Sequence, residues 1–205
     1  MELAVTDILK RVMELFSTYG IRSLSMDNIA QYIPLSKRKL LKIAKNKEDL
    51  IRRIFEYRIE LMQEFNQKIT QNGGAENVID EILQNGHTMY DIIREINPQL
   101  GFELHKYYPV IFAEYAAMNK LHIIEYLCDN IERGKQQGIY SEHLETRQSA
   151  KQIFTKNKEL IRAYIQQNEH DRNQEEIINT CIDAVIEKLA NERGKEYFRG
   201  RKLNN

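Results

Sequence analysis

Residues 25–50 read SMDNIAQYIPLSKRKLLKIAKNKEDL. Ser25 is a natural N-cap, its hydroxyl placed to accept from a free amide of the first turn, and Asp27 adds negative charge where the helix dipole is positive. Ile29, Ala30 and Ile33 supply the inner face of a short helix, and Pro34 forbids its continuation. Ser36 opens a second short helix, Lys37 to about Ala44, which the pattern predicts to turn Leu40, Leu41 and Ile43 inward. Its other positions are basic. Between Ser36 and Lys47 there are six basic residues and no acid: Lys37, Arg38, Lys39, Lys42, Lys45 and Lys47. Asn46 caps a long third helix of the stretch, with Glu48 and Asp49 at its positive end. Two short capped helices around a tight turn form a helix-turn-helix pattern. A second helix that enters a major groove must be slim on its outer face, and phosphate neutralisation requires that it be basic.

Outward from this stretch the period stays near 3.6. Upstream, Val5, Ile8, Leu9, Val12, Leu15, Phe16 and Tyr19 form the stripe of a helix from about Leu3 to Tyr19, stopped by Gly20. Downstream, helices are expected over about 47–71, 75–96, a short piece after Pro98, 109–137, 146–167 and 173–193, with the tail YFRGRKLNN frayed. β-branched alternation is missing, so the class is all-α. Hydrophobic residues make up 42% and charged residues 29% of the 205, enough for a core under a wet surface. The zero net charge hides an asymmetry: residues 1–53 carry 11 Lys/Arg against 6 Asp/Glu, and the remainder 19 against 24. No apolar run reaches membrane-spanning length, and MELAVTDILKRV is not a signal peptide, which predicts a cytoplasmic protein with no membrane partner. Cys128 and Cys181 sit in apolar helical patterns and are expected as reduced, buried thiols. Neither Cys/His clusters nor inward Glu-x-x-His pairs occur, and Walker loops and catalytic triads are absent, so no metal, cofactor or enzyme activity is expected.

The order of Leu15-Phe16, Gly20, Ser25, Ile29-Ala30, Ser36, Leu40 and Lys47-Glu48-Asp49-Leu50 resembles the N-terminal domain of TetR-family transcriptional regulators. More loosely, NPQLGFELHKYYP followed by a long helix and RGKQQGIYSEHL is similar to the ligand domain of a subgroup of that family. The chain departs from the family pattern at Pro34, where glycine is usual, at Leu41, where a phosphate-touching tyrosine is usual, and at Ile43-Ala44, where an aromatic pair is usual. The resemblance implies a three-helix DNA-binding domain over 1–46 and a helical ligand-binding and dimerisation domain over 47–205. It implies a homodimer on double-stranded DNA with a palindromic operator, repression as the default, and a small-molecule effector. Ser25 and Lys47 would anchor phosphates. Ser36, which caps the next helix, and Lys37, Arg38, Lys39 and Lys42 on it would complete the DNA-binding set, the four cations facing the groove and Arg38 suited to guanine. His87, Tyr90, Phe102, His105, Tyr108, Phe112 and Tyr115 are candidate pocket residues with apolar bodies or polar handles. The broad apolar faces of the last two helices, Ile153 to Ile165 and Ile177 to Leu189, would close the dimer as a four-helix bundle. A second reading stays open: a module of this architecture without specific DNA binding, acting as a ligand-binding or protein-interaction partner.

Overall fold

In a computed structural model the chain is all-α, and ten helices are placed among the described residues, 4–71, 75–95, 98–167 and 174–203. For 71, 87–95, 98–99, 165–167, 174 and 203 only the backbone is described. The elements are α1 (Val5–Tyr19), α2 (Met26–Tyr32), α3 (Lys37–Ile43), α4 (Lys47–Gln71), α5 (Val78–Glu95), α6 (Pro98–Tyr107), α7 (Pro109–Gln136), α8 (Thr146–Gln167), α9 (Gln174–Leu189) and α10 (Glu192–Leu203). No helix among the described residues is long and apolar enough to cross a membrane.

The N-terminal helix-turn-helix domain is joined through the long α4 to a larger helical part. By compactness the chain divides into two units, one of residues 1–64 with 95–119, the other of 65–94 with 120–205. The first unit has a core of Ile8, Leu9, Val12 and Phe16 from α1, Ile29 and Ala30 from α2, Leu40 from α3, and Leu50, Ile51 and Ile54 from α4. Leu100 and Leu104 of α6 and Ile111 of α7 belong to the same core. The second unit packs Val78, Ile79 and Ile82 of α5 with Ile124, Leu127 and Ile131 of α7, Ile153 of α8, and Ile178, Ile182, Val185, Ile186 and Leu189 of α9. Tyr140 is fully buried there, its ring against Gly134, where any β-carbon would collide, and its hydroxyl donates to Asn130 Oδ1 at 3.1 Å.

The structure corrects three expectations. Leu41 does not turn inward with Leu40: it is 41% exposed while Leu40 is fully buried, because adjacent residues of a helix lie about 100° apart and the core reaches only one of them. The expected 173–193 helix ends at Leu189. Tyr140 and Ala190 form an isolated bridge there, and Asn191 Oδ1 accepts from the Gly194 amide at 3.0 Å to start α10. The tail is helical as far as Leu203, not frayed from Tyr197. Phe198 is buried, and the Tyr197 hydroxyl donates to Asp80 Oδ2 at 2.7 Å, with Arg201 Nε 3.0 Å from Asp80 Oδ1.

Candidate nucleic-acid interface

The two short helices are set by their caps. Ser25 Oγ accepts from the Asn28 amide at 3.1 Å, while Asn28 Oδ1 takes the Ser25 amide at 3.0 Å, a reciprocal capping box with asparagine at its third position. Ser36 Oγ accepts from the Lys39 amide at 3.3 Å. Two side-chain bonds open α4: Asn46 Oδ1 accepts from the Asp49 amide at 2.9 Å, and Asp49 Oδ2 from the Lys45 amide at 2.8 Å. Ser25 and Ser36 are therefore already engaged as caps, both at exposed positions.

Between α2 and α3 the turn is tight. The Leu35 amide donates to the Ala30 carbonyl at 2.9 Å, the long bond of a Schellman closure. The residue inside that closure is Pro34, held at φ 23, among the described residues the one non-glycine with positive φ. Glycine, which the related pattern usually has here, would fit this backbone, whereas the proline ring favours about −65° and has no N–H for the closure's second bond.

With Leu40 and Ala44 buried and Ile43 half-buried, α3 presents Lys37, Arg38, Lys39, Leu41 and Lys42 on exposed positions. Lys37 Nζ pairs with Asp27 of α2 at 2.9 Å, with both side chains more than half exposed. Such a pair is screened by water and worth little. Arg38 and Lys42 are exposed, as is Lys45 just beyond α3. Lys47 differs. It is half-buried, its ammonium donating to the Arg22 carbonyl at 3.4 Å. Burial pushes its pKa below the ordinary lysine value, and the Glu103 charge draws it part of the way back. Lys47 thus ties α4 to the α1–α2 turn.

That turn has a seat that was not foreseen. Gly20, at φ 80, lies against the Glu103 carboxylate of α6 so closely that a β-carbon would come within 2.8 Å of Oε1. Glu103 Oε2 accepts from the Arg22 amide at 2.9 Å, and Arg22 Nη1 donates to the Tyr107 hydroxyl at 3.2 Å. Gly20 was legible as a helix stop. Its partner, far along the chain on α6, left no local signal.

No protein-family model matches the sequence, and no curated protein matches it. Solved structures do. A transcriptional regulator from Cytophaga hutchinsonii aligns with a TM-score of 0.73 at 14% identity, over 90% of this chain and 97% of its own. A TetR transcriptional regulator from Legionella pneumophila aligns at 0.64 and 17% identity, over 92% of this chain and 100% of its own. A TetR-family regulator from Agrobacterium tumefaciens gives 0.65 and 13%, over 91% and 97%. The chain has the TetR fold.

Within this TetR fold the residues expected to line a pocket fall on α5, α6 and α7, with Tyr108 between the last two. His87 and Tyr90 lie on α5, with side chains outside the described residues. Phe102 is 59% exposed on α6. His105 stands edge-on to Phe112, and Tyr115 is tilted against Phe55, their ring centres 5.0 and 4.7 Å apart. Tyr108, Phe112 and Tyr115 pack on the core of the first unit. A polar chain in the second unit was missed. Asn85 Nδ2 donates to Asn66 Oδ1 at 2.9 Å, and Asn66 Nδ2 lies 3.2 Å from His122 Nε2. Its only trace in the sequence is polar residues on otherwise apolar helical stripes.

Proposed function

We propose that the chain is a DNA-binding transcriptional regulator of the TetR type, not an enzyme, working in the cytoplasm as a homodimer on a palindromic site and released from it by a small molecule. The observation that carries this reading is the outer face of α3, where exposed Lys37, Arg38, Lys39 and Lys42 stand over a buried Leu40 on a helix capped by Ser36. A slim helix with cations outward and its hydrophobic side committed to the core fits a major groove.

Selection of bound duplexes from a random pool tests the reading. The expected product is a site with two inverted half-sites about one turn (roughly 34–36 Å) apart, bound with an affinity that falls steeply with salt. Arg38→Ala should relax the preference at one base pair in each half-site by about 1–3 kcal/mol. Recovery of no preferred duplex would favour the module without specific DNA binding.

A further inference from the structure

Leu41 occupies an unusual place on α3. Leu40 and Ala44 are buried and Ile43 is half-buried, so the core is closed without Leu41, which stands 41% exposed on the outer face. One turn before it is Lys37, three residues before it Arg38, and Lys42 follows directly, all within α3. A branched apolar side chain therefore sits among three cations of α3, in a stretch with no acid between Ser36 and Lys47. A polyanion docked on those cations covers Leu41 with whatever lies between its phosphates. In the major groove of DNA that space holds base edges, and the one apolar group offered there is the C5 methyl of thymine.

We propose that Leu41 is a specificity-determining residue that reads a thymine methyl in each half-site. The proposal rests on the DNA-binding reading above and deepens it. A lysine that contacts phosphate positions the helix and carries no sequence information. Leucine has no hydrogen-bonding group, so its discrimination depends on the methyl alone, not on the Watson–Crick pair.

The test uses the whole protein and the duplex recovered by selection. Each thymine of a half-site, with its symmetry mate, is replaced by uracil, which deletes the methyl and keeps every hydrogen-bonding group. One position is expected to lose about three- to fivefold in affinity per half-site, the size of one methyl group's burial. Leu41→Ala should bind thymine and uracil duplexes equally while its salt dependence stays that of the wild type. At the same position 5-methylcytosine should bind better than cytosine to the wild type and no better to Leu41→Ala. Equal uracil penalties in wild type and Leu41→Ala would assign the methyl to another side chain and overturn the proposal. So would the absence of any uracil-sensitive position in a duplex that is nonetheless selected and bound. Failure to select any duplex removes the DNA-binding reading itself, and the Leu41 proposal with it, at an earlier and separate step.

Discussion

At Pro34 the backbone is held at φ 23, where a proline ring is strained and its missing N–H leaves the turn one hydrogen bond short. Strain at such positions is worth about 1–3 kcal/mol, while the greater freedom of glycine in the unfolded chain gives back about 0.4–1. Pro34→Gly is therefore expected to stabilise the protein by about 1 kcal/mol or more, raising the thermal midpoint by roughly 2–4 °C. A midpoint unchanged or lowered in a scan of the two proteins would remove strain from this turn. A second residue gives a pH dependence. His122 is buried beside Asn66, and burial pushes its pKa below the ordinary value, opposed by Glu125. The unfolded chain then binds the proton more readily than the folded one, so stability is present above about pH 6.5 and is lost as pH falls from there toward the folded pKa. Denaturant midpoints between pH 5 and 8 should show this fall in the wild type and a shallower one in His122→Gln; identical slopes would exclude His122 as its source. The same residues show what the sequence could reveal. Ser25, Ser36 and Asn46 were legible as caps because a cap and its amide lie three positions apart. Leu41 was not, because a helix of seven residues is too short for its stripe to distinguish position 40 from 41. Neither the Glu103 seat under Gly20 nor the Asn66–His122 bond was legible, since each joins residues on different helices.

The helices of the second unit show where periodicity alone stops. The wide apolar face of α9 was read as facing both its own core and a partner. Ile178, Ile182, Val185, Ile186 and Leu189 are all buried within the protomer, leaving Ile177 and Cys181 half-exposed on the flank. On α8, Ile153 is buried while Ile161 is 38% exposed. A period of 3.6 gives the width of a stripe but does not say which edge meets the core and which is left open. It also runs through a break such as Ala190-Asn191, which is why α9 and α10 were read as one helix with a frayed tail. The proposed dimer interface must then be probed at its open edge. Ile161→Glu with Ile177→Glu should convert a dimer to a folded monomer with unchanged helix content, by sedimentation and circular dichroism. Ile182→Glu places a charge in the core and should unfold the second unit, at a cost of several kcal/mol. A dimer that survives the Ile161 and Ile177 pair would exclude this edge of α8 and α9 as the interface.

In the molecule as a whole, the compact unit that contains α2 and α3 also contains α6 and the start of α7. Leu100, Leu104 and Ile111 share its core, and Glu103 is fixed to the α1–α2 turn by the Arg22 amide and the bare Cα of Gly20. Helix α3 is therefore held in one body with α6. Both α4 and α7 leave that body as continuous helices, crossing into the second unit at Phe65 and Lys120. A rigid element that passes from one body to another is where a ligand's preference between two arrangements can be felt at a distance, provided the ligand binds the two arrangements with different affinity. In a dimer with fixed half-site spacing, a small change in either recognition helix is enough to lose DNA. Effector and operator should then oppose each other by the same factor in both directions. Glu103 supplies the discriminating variant. Glu103→Gln keeps an oxygen that accepts from the Arg22 amide, and should leave the ratio of operator affinities with and without effector close to that of the wild type. Glu103→Ala removes the carboxylate's bond to the turn, and should bring that ratio toward one while the effector still binds the protein. The measurement is operator affinity, with and without a compound found by thermal-shift screening, for the three dimeric proteins. If Glu103→Ala retained the full ratio, the seat on Gly20 would be a stabilising contact alone, and coupling would have to travel to α3 through α4.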